Sequence, residues 1–113
     1  MNLHMQSRPF SLTAGLRQAV RRALRPVDRR FGESLQSVQV RLDDINGKRG
    51  GVDKRCRLVF GLPHVEPVVV EALSDDMYRA IGMASRRAQH ALDRRTQRRQ
   101  SGRRTGDRIR LEP

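Results

Sequence analysis

Tryptophan is absent from this chain, tyrosine and cysteine occur once each (Tyr78 and Cys56), and there are three phenylalanines. A core built from this stock has to be aliphatic. A lone cysteine excludes an intrachain disulfide and a thiolate metal cage, which fits a reducing compartment, so the expected location is cytoplasmic. His4, His64 and His90 are scattered without metal-ligand spacing, and no metal is expected. No Ser/His/Asp or Cys/His constellation can be read, so the chain is not expected to be an enzyme, to carry a cofactor or to take a small-molecule substrate. The start Met1-Asn2-Leu3-His4-Met5-Gln6 has no signal-peptide form, and no apolar run approaches the length of a membrane span. Lysine is nearly missing too, with Lys48 and Lys54 alone, and acids are scarce.

What remains is arginine. Lys plus Arg number 24 against 12 Asp plus Glu, a formal net charge of +12 on 113 residues. That length suits one domain. Like charges at this density repel one another in a compact state, and a polyanionic partner is the physical reason to keep them. Guanidinium groups fork onto phosphate oxygens in bidentate fashion, so the bias toward arginine suits nucleic acid. An anionic membrane is the competing polyanion. Its sign would be a basic helix with a bulky apolar face made for lipid, whereas the apolar faces here are suited to a core, so no membrane partner is expected.

The order of elements follows from periodicity. Leu3 and Met5 alternate with polar neighbours over residues 2–7, a short first strand ended by Arg8-Pro9. Ser11 or Thr13 supplies a helix cap. Leu16, Val20, Leu24, Val27 and Phe31 then fall on one helical stripe, with Pro26 expected to kink the helix or end its regular part and Gly32 to close it. Val38, Val40 and Leu42 point inward along a second strand, with Gln39, Arg41 and Asp43 outward. Asn46–Gly51 is a long hairpin loop, and Cys56, Leu58, Phe60 and Leu62 alternate along a third strand. Val68–Ala72 is a fourth strand whose continuous apolar run suggests that both its faces are covered or that it pairs centrally. Ser74-Asp75-Asp76 starts a second helix with Met77, Ile81, Ala84, Ala88 and Leu92 on one stripe. It is expected to run to about Gln100, with Ser101-Gly102 ending it and a basic, mobile tail over 101–113. The fold class expected is α+β: a β-α-β-β-β-α two-layer sandwich, with both helices on one face of a mainly antiparallel four-stranded sheet, over residues 1–100.

The charge lies chiefly on the helices. Arg17, Arg21, Arg25 and Arg29 recur every four residues on the first, flanked by Arg22 and Arg30. On the second, Arg87, His90, Arg94 and Arg98 share a face, flanked by Arg86, Arg95 and Arg99. Like charges four apart destabilise a helix by about 0.2–0.5 kcal/mol per pair, so helix stability does not explain these runs. Helices packed side by side would merge the stripes into one basic surface. The expected RNA-binding set is therefore Arg17, Arg21, Arg22, Arg25, Arg29, Arg86, Arg87, His90, Arg94 and Arg98, joined by Lys48 and Arg49 at the hairpin tip. Gly47-Lys48-Arg49-Gly50-Gly51 lacks the spacing of a phosphate-binding P-loop. Asp76 and Met77 read as a first-turn acid and a core anchor, and Cys56 as a small buried hydrophobe. Tyr78 could stack on a base, but packing against the sheet edge is the favoured reading.

Asp76-Met77-Tyr78-Arg79-Ala80-Ile81 resembles the D-M-Y-x-A-I that opens the last helix of the ribosome hibernation-promoting factor family, also called ribosome-associated inhibitor A or ribosomal subunit interface proteins. Leu12–Val20 resembles the start of that family's first helix, including its Thr cap. Arg87, Arg94 and Arg98 match its spaced basic residues. The resemblance spans roughly residues 1–99 and implies a fold akin to double-stranded-RNA-binding domains, of the short type without a C-terminal dimerisation domain. Gly82 and Ser85 stand where the family has larger residues, and Pro26 interrupts the first helix. The resemblance implies a factor, monomeric when free, that binds small-subunit ribosomal RNA and blocks the messenger and transfer RNA channel. The alternative expectation is a general double-stranded-RNA-binding module with no preference for ribosomes.

Overall fold

The computed structural model describes residues 2–8, 11–45 and 52–111, with side chains as far as Gln97. Lys48 and Arg49, and the hairpin tip they were expected to form, lie outside the described residues. The elements are β1 (Leu3–Arg8), α1 (Ala14–Phe31), a 3-10 turn (Gly32–Ser34), β2 (Ser37–Asp44), β3 (Lys54–Gly61), β4 (Val68–Ser74) and α2 (Met77–Leu111). Strand order in the sheet is β1-β2-β3-β4. Because α1 carries the chain from the end of β1 back to the start of β2, these two strands pair in parallel, Leu3 beside Val38 and Ser7 beside Leu42. The β2–β3 and β3–β4 pairs are antiparallel.

The expected inward stripes make the core. Leu16, Val20, Leu24, Val27 and Phe31 of α1, and Met77, Ile81, Ala84, Ala88 and Leu92 of α2, are buried against Val38, Val40, Leu42, Cys56, Leu58 and Phe60. Each large aliphatic side chain so placed contributes about 1.5–3 kcal/mol relative to exposure. Both helices therefore lie on one face of the sheet.

Three contacts fix how the helices sit. The Tyr78 hydroxyl approaches Gly15 closely enough that a Cβ there would be 3.1 Å away. Ser85 Oγ donates to the Ala23 carbonyl at 2.5 Å, and Arg30 pairs with Asp93. Positions advance together along both helices, so α1 and α2 run parallel, with both N-termini at the same end. Each positive helix end has its own cap. Thr13 Oγ1 accepts the Leu16 N–H at 3.1 Å, and Asp76 Oδ1 accepts the Tyr78 N–H at 3.0 Å.

Several expectations need correction. Pro26 does not end α1, which runs on to Phe31. The ring lies on the exposed side of the helix, where water can serve the Arg22 carbonyl deprived of its partner. Gly32 does close α1 as its C-cap, though in a right-handed conformation (φ −53°) that leads into the 3-10 turn and not in the left-handed one. β4 is an edge strand whose burial alternates, with Val69 46% and Leu73 45% exposed, so its apolar run reflects the β-propensity of valine and not cover on both faces. Asp43 does lie on the face away from the helices, yet it is buried, held by Arg41 at 3.3 Å and Arg55 at 3.0 Å. The backbone of α2 passes Ser101-Gly102 and stays helical to Leu111. A glycine costs a helix about 1 kcal/mol without forbidding it, arginine is a good helix former, and the next proline is Pro113.

Candidate nucleic-acid interface

Except for Arg8 at the end of β1, the described cations of the sheet are paired with acids. Arg41 and Arg55 share Asp43, Lys54 sits between Asp44 at 3.1 Å and Asp53 at 2.9 Å, and Arg57 lies 3.7 Å from Glu71. Hydrogen bonds donated by Lys54 to the two carboxylates raise its pKa, with the bond to Asp53 the strongest influence. Asp53 is fully buried, and its second carboxylate oxygen has no partner among the described residues. Cys56 is enclosed among aliphatic side chains, and loss of hydration pushes its thiol from 9.0 up to about 12. It is a core residue and not a nucleophile.

The helices do the opposite. Arg17, Arg21, Arg22, Arg25 and Arg29 of α1, and Arg86 and Arg94 of α2, are exposed and have no acidic partner among the described residues. Arg30, spent on Asp93 and on the Phe31 ring 4.9 Å away, marks the seam between the helices and does not belong to this set. Arg79 is tied to Asp75 at 3.6 Å.

The two stripes are not brought into one row. At roughly 100° per residue, the side of α2 that meets α1 carries Ser85 and Asp93, and Arg86 lies just outside that seam. Arg87 and Arg94 lie on the opposite flank. They line a groove against β4 with His90, Val70 and Glu71. Arg87 donates to the Glu71 carbonyl at 2.5 Å, and Arg95 to the Glu66 carbonyl at 2.9 Å. Arg87 therefore covers a carbonyl of the edge strand β4, and Arg95 one in the connection between β3 and β4. On α1, Arg22, Arg25 and Arg29 point away from the sheet, with Arg17 and Arg21 toward the far flank. The cations thus wrap the whole helix layer from one flank to the other. The Arg98 side chain lies outside the described residues.

Tyr78 is 55% exposed and rests on the first turn of α1, not on the sheet edge. The preference for packing failed because nothing in local spacing tells which neighbour the first turn of α2 meets. His64 occupies the β3–β4 turn with φ 61°, a left-handed conformation for which histidine is one of the more tolerant residues. Among the described residues no group of three His, Cys, Asp or Glu could hold a metal ion, and no helix is long and apolar enough to cross a membrane.

A mixed four-stranded sheet under two parallel helices has counterparts of known family. The family model described as Sigma 54 modulation protein / S30EA ribosomal protein matches residues 3–100. The chain belongs to this S30EA family. A ribosomal subunit interface protein from Coxiella burnetii has the same fold, with a TM-score of 0.72 and 18% identity over 85% of this chain and 98% of that one. The crystal structure of the N-terminal domain of Thermus thermophilus Protein Y is similar at a TM-score of 0.66 and 26% identity, covering 83% and 98%. No curated protein matches in sequence. The family match takes in every described residue of the candidate interface and stops at residue 100, while the helix backbone continues beyond it.

Proposed function

We propose that this S30EA-family protein is a cytoplasmic ribosome-associated hibernation factor. It binds ribosomal RNA of the small subunit through its helix layer and occupies the channel that messenger and transfer RNAs need. It acts by filling space and catalyses nothing. The observation that carries the reading is the division of charge. Among the described residues the strand cations Arg41, Lys54, Arg55 and Arg57 are matched to carboxylates, with Arg8 the exception, while Arg17, Arg21, Arg22, Arg25, Arg29, Arg86 and Arg94 are left unmatched on the other layer. Unmatched guanidinium groups on a rigid two-helix surface are placed for phosphate oxygens, and the cost of their mutual repulsion is recovered when a polyanion binds. The neutralised sheet face is then the part that obstructs other ligands. Arg87, His90 and Arg94 extend the contact around the β4 flank, and the arginines beyond Gln100 add charge.

The test is sedimentation of the protein with ribosomal particles, followed by a footprint on the RNA. The expected result is co-migration with the small subunit, protection inside the messenger and transfer RNA channel, and inhibition of translation in an extract. Reversing Arg21, Arg25, Arg29 and Arg94 together to Glu should abolish all three. Equal binding to any RNA duplex would favour a general double-stranded-RNA module. Protection outside the channel would overturn the blocking mechanism.

A further inference from the structure

The aromatic residues divide sharply. Phe60 is fully buried and Phe31 is 8% exposed, whereas Tyr78 is 55% exposed and sits on the cationic layer. Its place is prepared by two glycines. At Gly15 of α1 a Cβ would press on the Tyr78 hydroxyl at 3.1 Å, so the bare backbone there is what allows the ring to settle across the first turn of α1. At Gly82, one turn further along the same face of α2, a Cβ would meet nothing closer than Arg86 Nη1 at 3.8 Å. The position one turn along from Tyr78 therefore carries no side chain and opens to free space, with the Arg86 guanidinium near it. The parallel register of the helices completes the picture. Ser85 meets Ala23, so their neighbours Arg86 and Arg22 stand on opposite sides of the seam at the same level. Neither has an acidic partner among the described residues.

We propose that Tyr78, with the open position at Gly82 and the facing pair Arg22 and Arg86, forms a stacking site for a single unpaired RNA base and its flanking phosphates. The inference rests on the RNA-binding reading above and narrows it. A base inside a duplex has both faces covered by its neighbours, so only an unstacked nucleotide can lie on an aromatic ring. The stacked face comes from Tyr78, the room from Gly82, and the charge from two arginines that bracket the sugar-phosphate chain. Shape recognition of a duplex would not need an exposed ring at this point.

The chain supplies its own probe. Tyr78 is the only tyrosine and there is no tryptophan, so intrinsic emission reports this ring alone. Titrate the full chain with a short single-stranded oligoribonucleotide and with a blunt duplex of the same composition, following tyrosine emission and the anisotropy of a labelled oligonucleotide together. Saturable quenching by the single strand and none by the duplex is expected. Tyr78→Ala should weaken single-strand binding roughly five- to hundredfold, the range of one base–aromatic stack. Tyr78→Phe should bind nearly as the parent does, and Gly82→Leu, which fills that position, should lose affinity with the ring intact. Circular dichroism confirms that each variant is folded. Unchanged emission at saturating anisotropy, or unchanged affinity of folded Tyr78→Ala for the oligonucleotide and the small subunit, overturns the proposal. Failure of the parent chain to bind the subunit at all would instead sink the broader reading.

Discussion

Salt dependence puts a number on the division of charge between the layers. Each phosphate neutralised by a cation releases condensed counterions, so the logarithm of affinity falls with the logarithm of salt by about 0.7 per contact on single strands and 0.9 on duplex. The exposed arginines of the helix layer with neither a carboxylate nor a carbonyl partner among the described residues are Arg17, Arg21, Arg22, Arg25, Arg29, Arg86 and Arg94. If each meets one phosphate, roughly seven contacts give a slope of about −5 to −6. Raising salt from about 50 to about 200 mM then weakens binding to the small subunit by about 10³- to 10⁴-fold. Removing two contacts with Arg21→Ala and Arg25→Ala should flatten the slope by about 1.4–1.8. Arg57→Gln, on the sheet face and already 3.7 Å from Glu71, should leave it unchanged. The assay is equilibrium binding to purified subunits at four or more salt concentrations. A nearly flat response, or the same flattening from Arg57→Gln as from the double variant, would refute the idea that pairing within the fold decides which arginines reach RNA.

Ile81, 3% exposed beneath the sheet, should not tolerate an acid. Ile81→Asp forfeits about 1.5–3 kcal/mol of burial and leaves a carboxylate unpaired, enough to unfold a domain of ordinary stability, whereas Arg94→Glu should melt like the parent and lose RNA; melting curves by circular dichroism separate the two. The Cys56 thiol, pushed up to about 12 by burial, should resist alkylation in the folded protein at pH 8 and react only on unfolding. Because its folded pKa is raised, the stability this creates is whole below pH 9.0 and is lost as pH rises toward about 12, so Cys56→Ala should fall less steeply in stability than the parent across that window. Free-thiol reactivity in the native state would contradict the enclosure.

Much of the architecture was legible because burial follows period. Steps of three and four along Leu16–Phe31 and Met77–Leu92, and steps of two along Val38–Leu42 and Cys56–Phe60, each name one buried face, and the structure buries those faces. Where the reading missed, a local rule met a tertiary fact. Three successive valines look like a strand covered on both sides, yet an edge strand can carry them with Val69 left in solvent. Asp43 looks like a surface acid on an alternating strand, but Arg41 beside it and Arg55 opposite in the register close over it. Pro26 looks like a kink or a stop, and the helix runs on past it because an exposed ring needs only water for the carbonyl it orphans.

The candidate interface was legible in its residues and not in its layout, for a physical reason. Spacing of four says that Arg17, Arg21, Arg25 and Arg29 share a face, and charge alone says that the face seeks an anion. Neither says which side of α2 meets α1. That choice depends on where two small residues allow a close approach, and it is made by Ser85 against the Ala23 carbonyl. Once it is made, Asp93 must lie in the seam with Arg30, and Arg87 and Arg94 are carried to the far flank beside β4. The same choice lifts Tyr78 onto the bare backbone of Gly15 and away from the sheet edge. A larger residue at position 85 would press on the Ala23 carbonyl and force the helices apart or around. Ser85, together with the Tyr78–Gly15 and Arg30–Asp93 contacts, thus sets which arginines stand on either side of the seam.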